Sequence, residues 1–534
     1  MRNYSIKKSI LLVISMLAIT YTFAQQKQVK SLKIPLGKAS WWTGIINKGE
    51  IMPLENGFKG TFFSNYGNQV QPLLISNDGQ TVWSEIEYVF EVKNDTIYIN
   101  SEESSLIYNK TGNTLKDAFT YASKTYFPPA GKMPEELLFS SPQYNTWIEL
   151  IYNQNQEDIL KYANGIIDNG FPPGVLMIDD NWQEDYGKWD FHEGRFSNPK
   201  MMMDSLHSMG FKVMLWICPF VSPDCDVYRE LDAKNILLKD AQTKDTVNNS
   251  ALIRWWNGAS AELDLSNPEA MKWFHEQLDF LQTEYGVDGF KFDAGDFEFY
   301  NNVKSYKEGA TPQDHCEYYA EIGLEYPLNE YRAMWKMAGQ PLVNRLRDKY
   351  HTWGDVQKLV PDILLQGIVG YNFTCPDMVG GGDFSSFLPG AIMDQDLIVR
   401  SAQSHALMPM MQFSVAPWRV LDKEHLNAVK KAVEIRKEYT PLILKLAKES
   451  AINGEPIVRS MEYVFPHKGY ESINNQFMLG DKVLVAPFLS KDNKREVILP
   501  KGKWKNSNGK IIKGPKKLII EGGIDEIPIY EKIK

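Results

Sequence analysis

The chain has 534 residues, 43% hydrophobic and 23% charged, a globular composition able to bury large cores, and its length predicts two or three domains. A net charge of −9, with no basic block longer than a few residues, excludes the electrostatic footprint of a nucleic-acid or anionic-lipid binder and favours a neutral polar ligand. Aromatic residues make up 12% of the chain, and such rings stack readily on the apolar faces of sugars.

Arg2, Lys7 and Lys8 precede an apolar stretch from Ile10 to Ile19, followed by Thr22-Phe23-Ala24. This pattern predicts a secretory signal peptide over 1–24, hence a periplasmic or secreted protein with no membrane span after signal removal; a single membrane anchor is the alternative. Four cysteines do not make a disulfide scaffold. Cys218 and Cys225 are near enough to bridge across a loop, Cys316 and Cys375 pair only if the fold joins them, and the spacing matches no zinc pattern.

Residues 25–140 are rich in short strand-like runs, with turn chemistry at Asn77-Asp78-Gly79 and Lys93-Asn94-Asp95, which predicts an N-terminal β-sandwich. Pro128 to Gly131 punctuates the chain, and beyond it strands alternate with helices over 141–450. Helical periodicity covers Glu157–Asn169, Met201–Met209 and Pro268–Tyr285, the last capped by Ser266 or Asn267. Strands are expected at Gly174–Asp180, Phe211–Ile217, Ala261–Leu265, Val287–Phe292, Gln340–Arg345, Tyr350–Asp355, Ile363–Phe373 and Met408–Phe413. Strand–helix units with polar residues at the strand ends predict a central (β/α)8 TIM barrel. An open doubly wound sheet is the alternative, and no Gly-rich phosphate loop supports it. A helix over Lys423–Ser450 leads into strand-rich 451–534, read as a C-terminal β-sandwich domain with a turn-rich stretch at Lys503–Gly514.

Acids fall at or near strand ends at Asp179, Asp180, Asp264, Asp293, Asp296 and Asp355, with Asp377 and Asp383 in a Gly-rich loop. Two carboxyl groups flanking a scissile bond can run glycoside hydrolysis, and any single Asp is more often a cap or turn residue. Asp293 stands out because it directly follows a buried strand, with Lys291 two residues earlier on the same face. Asp355 follows Trp353-Gly354, an environment suited to a partly desolvated acid. Arg345 either binds sugar hydroxyls or neutralises one of these acids. No Ser lies in a Gly-x-Ser-x-Gly elbow, and the acids lack calcium spacing.

These residues carry a family likeness. GFKFDAGD resembles the nucleophile motif of glycoside hydrolase family 31, MIDDNW its first-strand motif, LWICPF its second-strand motif, and WWNGASAELDLSNPEA its lead-in to the nucleophile. Trp353-Gly354-Asp355 is similar to the acid/base motif, PDMVGG to the Gly-rich loop after it, and QFMLGDKVLVAPFL to the C-terminal β domain. FKFDAGD, PDMVGG and MQFSVAPWR together resemble the branch containing bacterial α-galactosidases and the animal myogenesis-regulating glycosidase. Gln412 and Ser414 stand where many family α-glucosidases have Arg and His.

The resemblance implies a retaining, exo-acting α-glycoside hydrolase with Asp293 as nucleophile, Asp355 as acid/base, and no cofactor or metal. Asp179, Asp180, Lys291, Arg345 and Trp216 would form the sugar pocket, with Trp182, Trp353 and Trp418 as further walls. The expected substrate is a small-molecule or oligosaccharide α-galactoside, with α-glucoside or α-xyloside next. A secreted carbohydrate-binding protein without catalysis is the reading from another class. Oligomeric state has no signature in the sequence.

Overall fold

The computed structural model describes residues 28–243 and 249–533, and the expected signal segment 1–24 lies outside them. At its centre is a ring of eight strands: Gln143–Asn145, Val175–Ile178, Lys212–Ile217, Gly289–Phe292, Asn329–Tyr331, Asn344–Arg345, Thr374–Cys375 and Gln412–Phe413. All neighbours along this sheet are parallel, and a parallel bridge between Met378 and Gln412 brings its two ends together. This is a TIM barrel, whose functional face is the carboxyl rim of the strands.

Local chemistry explains the helices that separate the strands. Asn155 caps Gln156–Asp168 by accepting from Asp158 N. Asn198 and Asn267 cap Pro199–Ser208 and Pro268–Phe280, each with Pro in the first turn where no N–H partner is needed.

Several expectations are corrected. Ala261–Leu265 is not a barrel strand: Gly258–Glu262 pairs antiparallel with Leu252–Trp255 and Phe220–Val221 in a small sheet raised above the rim. Tyr350–Asp355 and Ile363–Phe373 are not two strands either. A single helix runs from Trp353 to Ile368, capped by Thr352, and nearly all its residues from Leu359 on are buried, so the apolar–polar period that marks a surface helix is absent. The fifth strand, Asn329–Tyr331, is only three residues long and gives no period at all.

On one side of the barrel lie two N-terminal sheets. One orders Ser31–Pro35, Thr96–Asn100, Val89–Lys93 and Lys59–Thr61; the other orders Trp41–Ile45, Gln69–Ser76, Gln80–Trp83 and Ile107–Lys110. Met334–Trp335, just past the fifth barrel strand, pairs in parallel with Gln69–Val70, so sheet and barrel are stitched by backbone hydrogen bonds. A helix absent from the sequence reading, Leu115–Tyr126, carries a Thr114/Asp117 capping box. On the other side, helix Lys423–Asn453 precedes a six-stranded antiparallel sheet. Lys503–Gly514, expected as turns, lies within the hairpin Lys494–Asn506/Ile511–Glu521.

The four cysteines are free and buried. Among the described residues no helix is long and apolar enough to cross a membrane.

Candidate active site

Asp293 is the first residue past the fourth strand. Its N–H donates to Ile217 O at 2.9 Å, and its carbonyl accepts from the Tyr319 hydroxyl at 3.0 Å. The chain then bends through Ala294 and Gly295, both with positive φ (62° and 75°), and a Cβ on Gly295 would lie 2.5 Å from the Tyr319 ring. Only glycine meets both demands. The bend leaves the Asp293 carboxyl on the wall of a cavity of about 710 Å³.

The two oxygens of that carboxylate are not equivalent. Oδ1 accepts from Arg332 Nε at 2.8 Å and from Ala294 N at 2.9 Å, whereas among the described residues Oδ2 accepts only from Trp216 Nε1 at 3.1 Å. Burial opposes ionisation, but the positive charges of Arg332, Lys291 and Arg345 outweigh it and hold Asp293 below the usual carboxylate range.

Below the cavity the barrel interior is polar. Lys291 Nζ donates to Asp179 Oδ2 at 2.6 Å. Burial works against the Lys291 charge, and Asp179 more than restores it. Arg345 is 1% exposed and does not reach the cavity wall. It forms an ion pair with Glu330 (3.0 Å) and donates from Nη1 to Asp348 Oδ1 (2.7 Å) and Asp377 Oδ1 (3.1 Å). Of the two readings open for Arg345, neutralising acids is the one its contacts satisfy. Burial, with the Asp348 charge adding to it, pushes Asp377 up to about 7. Gln412 is equally buried, donating to Glu330 Oε2 and Gln143 Oε1, and the Ser414 hydroxyl accepts from Ile148 N.

Asp180 lines the cavity, pushed up to about 7 by burial and by the neighbouring Asp179. It accepts from the Tyr186 hydroxyl and from Asn257 Nδ2, at the tip of the Leu252–Glu262 hairpin, while the Tyr152 hydroxyl donates to Asn257 Oδ1. The hairpin tip is thereby tied down, and it carries Trp256 over the Arg332 guanidinium, 5.6 Å from ring centroid to Cζ.

Asp355 is corrected by its position. It does not line the cavity; it sits in the first turn of the Trp353–Ile368 helix, accepting from Tyr350 N at 2.7 Å and Lys358 Nζ at 2.9 Å. The carboxyl that reaches the cavity from this part of the chain is Asp348, shortly after the sixth strand, its side chain 40% exposed. The Gly-rich loop packs against it: a Cβ on Gly382 would lie 2.8 Å from Asp377 Oδ1 and 3.1 Å from Asp348 Oδ1.

Three predicted walls also lie elsewhere. Trp182 is fully buried against Phe191 and donates to Trp216 O; Trp353 donates to Asp394 Oδ2; Trp418 packs on Tyr162 and Phe171 outside the barrel. Asp179, Asp180, Trp216, Lys291 and Asp293 do share the cavity. Among the described residues no group of three or more His, Cys, Asp or Glu is arranged to hold a metal ion.

The family model described as the glycosyl hydrolases family 31 TIM-barrel domain matches residues 133–446, and that of the family's C-terminal domain matches 454–533. The chain belongs to glycosyl hydrolase family 31. Myogenesis-regulating glycosidase of Mus musculus is 32% identical over 426 residues, which cover 78% of this chain and 59% of that protein. Alpha-xylosidase XylQ of Lactiplantibacillus pentosus is 24% identical over 90% of this chain and 64% of its own length. The chain thus spans about three fifths of these two relatives. A Flavobacterium johnsoniae family 31 dextranase complexed with glucose shares the fold with a TM-score of 0.81 at 19% identity, covering 94% of this chain and 66% of that one.

For this family 31 chain, four of the cavity residues missing from the sequence reading follow one rule. Trp147 and Tyr152 follow the first strand, Arg332 the fifth and Asp348 the sixth, all at the carboxyl rim. Asp348, in Arg345-Leu-Arg-Asp348, carried the same signal as Asp293, an acid just past a strand. Ser64, Tyr66 and Gly67 come from the N-terminal sheets and carry no local signal.

Proposed function

We propose that this protein is a retaining, exo-acting α-glycoside hydrolase in which Asp293 is the nucleophile and Asp348, rather than Asp355, is the acid/base. The observation that carries this reading is the Asp293 carboxylate, held ionised at the rim of the fourth strand with the less encumbered Oδ2 available for attack. Asp293 Oδ2 attacks the anomeric carbon as the glycosidic C–O bond breaks, and Asp348 gives its proton to the departing oxygen. Asp348 then takes a proton from water, which attacks the anomeric carbon and frees Asp293.

Asp180 is the rival acid, and its two oxygens are committed to Tyr186 and Asn257. Asp348 commits Oδ1 to Arg345, but its side chain is 40% exposed and reaches water and a leaving group at the mouth, which favours it. The Lys291–Asp179 pair lines the cavity floor and the Arg345–Glu330 pair lies beneath it, which supports a site that takes one terminal sugar from above.

The sugar we propose is α-galactose, supported by the likeness of FKFDAGD, PDMVGG and MQFSVAPWR to the α-galactosidase branch and by Gln412 and Ser414 in place of Arg and His. An α-xyloside is the second reading, favoured by the likeness to alpha-xylosidase XylQ. Purified protein assayed with p-nitrophenyl α-galactoside, α-glucoside and α-xyloside decides among them. Preferential release from the galactoside supports the proposal, preference for another sugar replaces the substrate, and turnover of none removes the enzyme reading in favour of a binding protein.

A further inference from the structure

Arg332 donates from Nε to Asp293 Oδ1 at 2.8 Å, and from Nη1 and Nη2 to Asp296 Oδ1 and Oδ2 at 2.9 and 2.5 Å. Its Nη1 also reaches Gly67 O at 3.1 Å. Of the five N–H bonds of a guanidinium, these contacts engage four. The fork is committed to Asp293, to Asp296 and to the N-terminal backbone, leaving one N–H for a substrate.

Asp296 is 3% exposed, and it has a further partner from outside the barrel. Asn65 Nδ2, itself on a 4% exposed residue, donates to Asp296 Oδ1 at 2.7 Å and to Asn68 O at 3.2 Å. The Asn65–Asn68 segment is fixed in turn, since Arg347 N donates to Asn68 Oδ1 at 2.8 Å and Gln69 Nε2 donates to Arg332 O at 2.6 Å. A continuous chain of hydrogen bonds therefore runs from an N-terminal amide through Asp296 and Arg332 to the carboxylate on the cavity wall.

We infer that Asn65 is a positioning residue for the reaction proposed above: it fixes Asp296, Asp296 fixes the Arg332 fork, and Arg332 sets the orientation and charge of Asp293. The inference rests on Asp293 being the nucleophile. Near-attack geometry is sensitive to displacements well below a bond length's reach, so a loosened fork costs rate rather than affinity. Displacing the fork also shifts the Arg332 charge that helps to hold Asp293 ionised. Also facing Asp293 are Lys291 on its own strand, Arg345 from the sixth strand, and the acids Asp179, Asp180 and Asp296.

The test uses the whole chain with Asn65→Ala and the near-isosteric Asn65→Leu, which keeps most of the volume and removes the donor without adding a charge beside Asp296. For both, kcat, KM, the acidic limb of the kcat/KM profile and the melting temperature are measured on the sugar that the wild type hydrolyses best. The expected result is a fall in kcat of about tenfold or more with KM within about twofold, and an acidic limb moved to higher pH. Variants with wild-type kcat and an unmoved acidic limb, whether or not they melt earlier, overturn the inference and leave the proposed function intact. A wild type that hydrolyses none of the sugars overturns both.

Discussion

Lys291 Nζ lies 2.6 Å from Asp179 Oδ2, and both side chains are 4% exposed. The pair forms part of the cavity floor, and each charge is almost wholly withdrawn from water. Removing one partner of such a buried pair strands the other.

Lys291→Met is therefore expected to lower the unfolding free energy by about 3–5 kcal/mol and to abolish turnover, since Asp179 loses its counter-charge and Asp293 one of its three stabilising cations. Denaturant unfolding of the ligand-free protein measures the first effect and the nitrophenyl assay the second. Wild-type stability in this variant would contradict the account of the polar interior.

Asp348 and Asp355 separate by substitution. Asp348→Ala is expected to cost about 10²–10⁴ in kcat/KM on a disaccharide, less on a nitrophenyl glycoside, and to be rescued by azide with formation of the α-glycosyl azide, because azide displaces Asp293 from the face opposite the β-linked intermediate. Asp355→Ala is expected to leave kcat/KM near wild type while costing about 1 kcal/mol of stability, through loss of its hydrogen bonds with Tyr350 N and Lys358. The reverse pattern would return the acid/base role to Asp355.

The raised position of Asp180 has a stability consequence. An Asp titrates near 3.9 when unfolded and this one near 7 when folded, so between roughly pH 4 and 7 the folded chain binds the additional proton and stability falls as pH rises. Asp180→Asn keeps an uncharged group facing Tyr186 and Asn257 and is expected to flatten that part of the profile. Unfolding free energies of both proteins from pH 4 to 8 measure the difference; parallel profiles would contradict it.

The barrel and its nucleophile strand were legible because Val287–Phe292 is a buried apolar run that stops at an acid. The acid/base position was not, because the helix Trp353–Ile368 is buried nearly all round and reads like strands, which placed Asp355 at a strand end it does not occupy. Asp348 lies just past Arg345, a strand end the sequence reading placed correctly, but the Trp353-Gly354-Asp355 pattern drew the role away from it; Arg332 follows a fifth strand of three residues, too short for any period to mark its end. Trp182, Trp353 and Trp418 illustrate the other limit: composition counts aromatic rings without saying which face the cavity. Asn65 is separated from Asp296 by 231 positions, and only the packing of the N-terminal sheets on the barrel unites them.

The most direct test of the central claim is to trap the covalent intermediate. Wild-type protein is incubated with a fluorinated α-galactosyl fluoride, which slows deglycosylation, and the adduct is mapped by peptide mass spectrometry. One glycosyl group is expected, carried by Asp293 and absent from Asp293→Asn. A stable adduct on any other residue would contradict it.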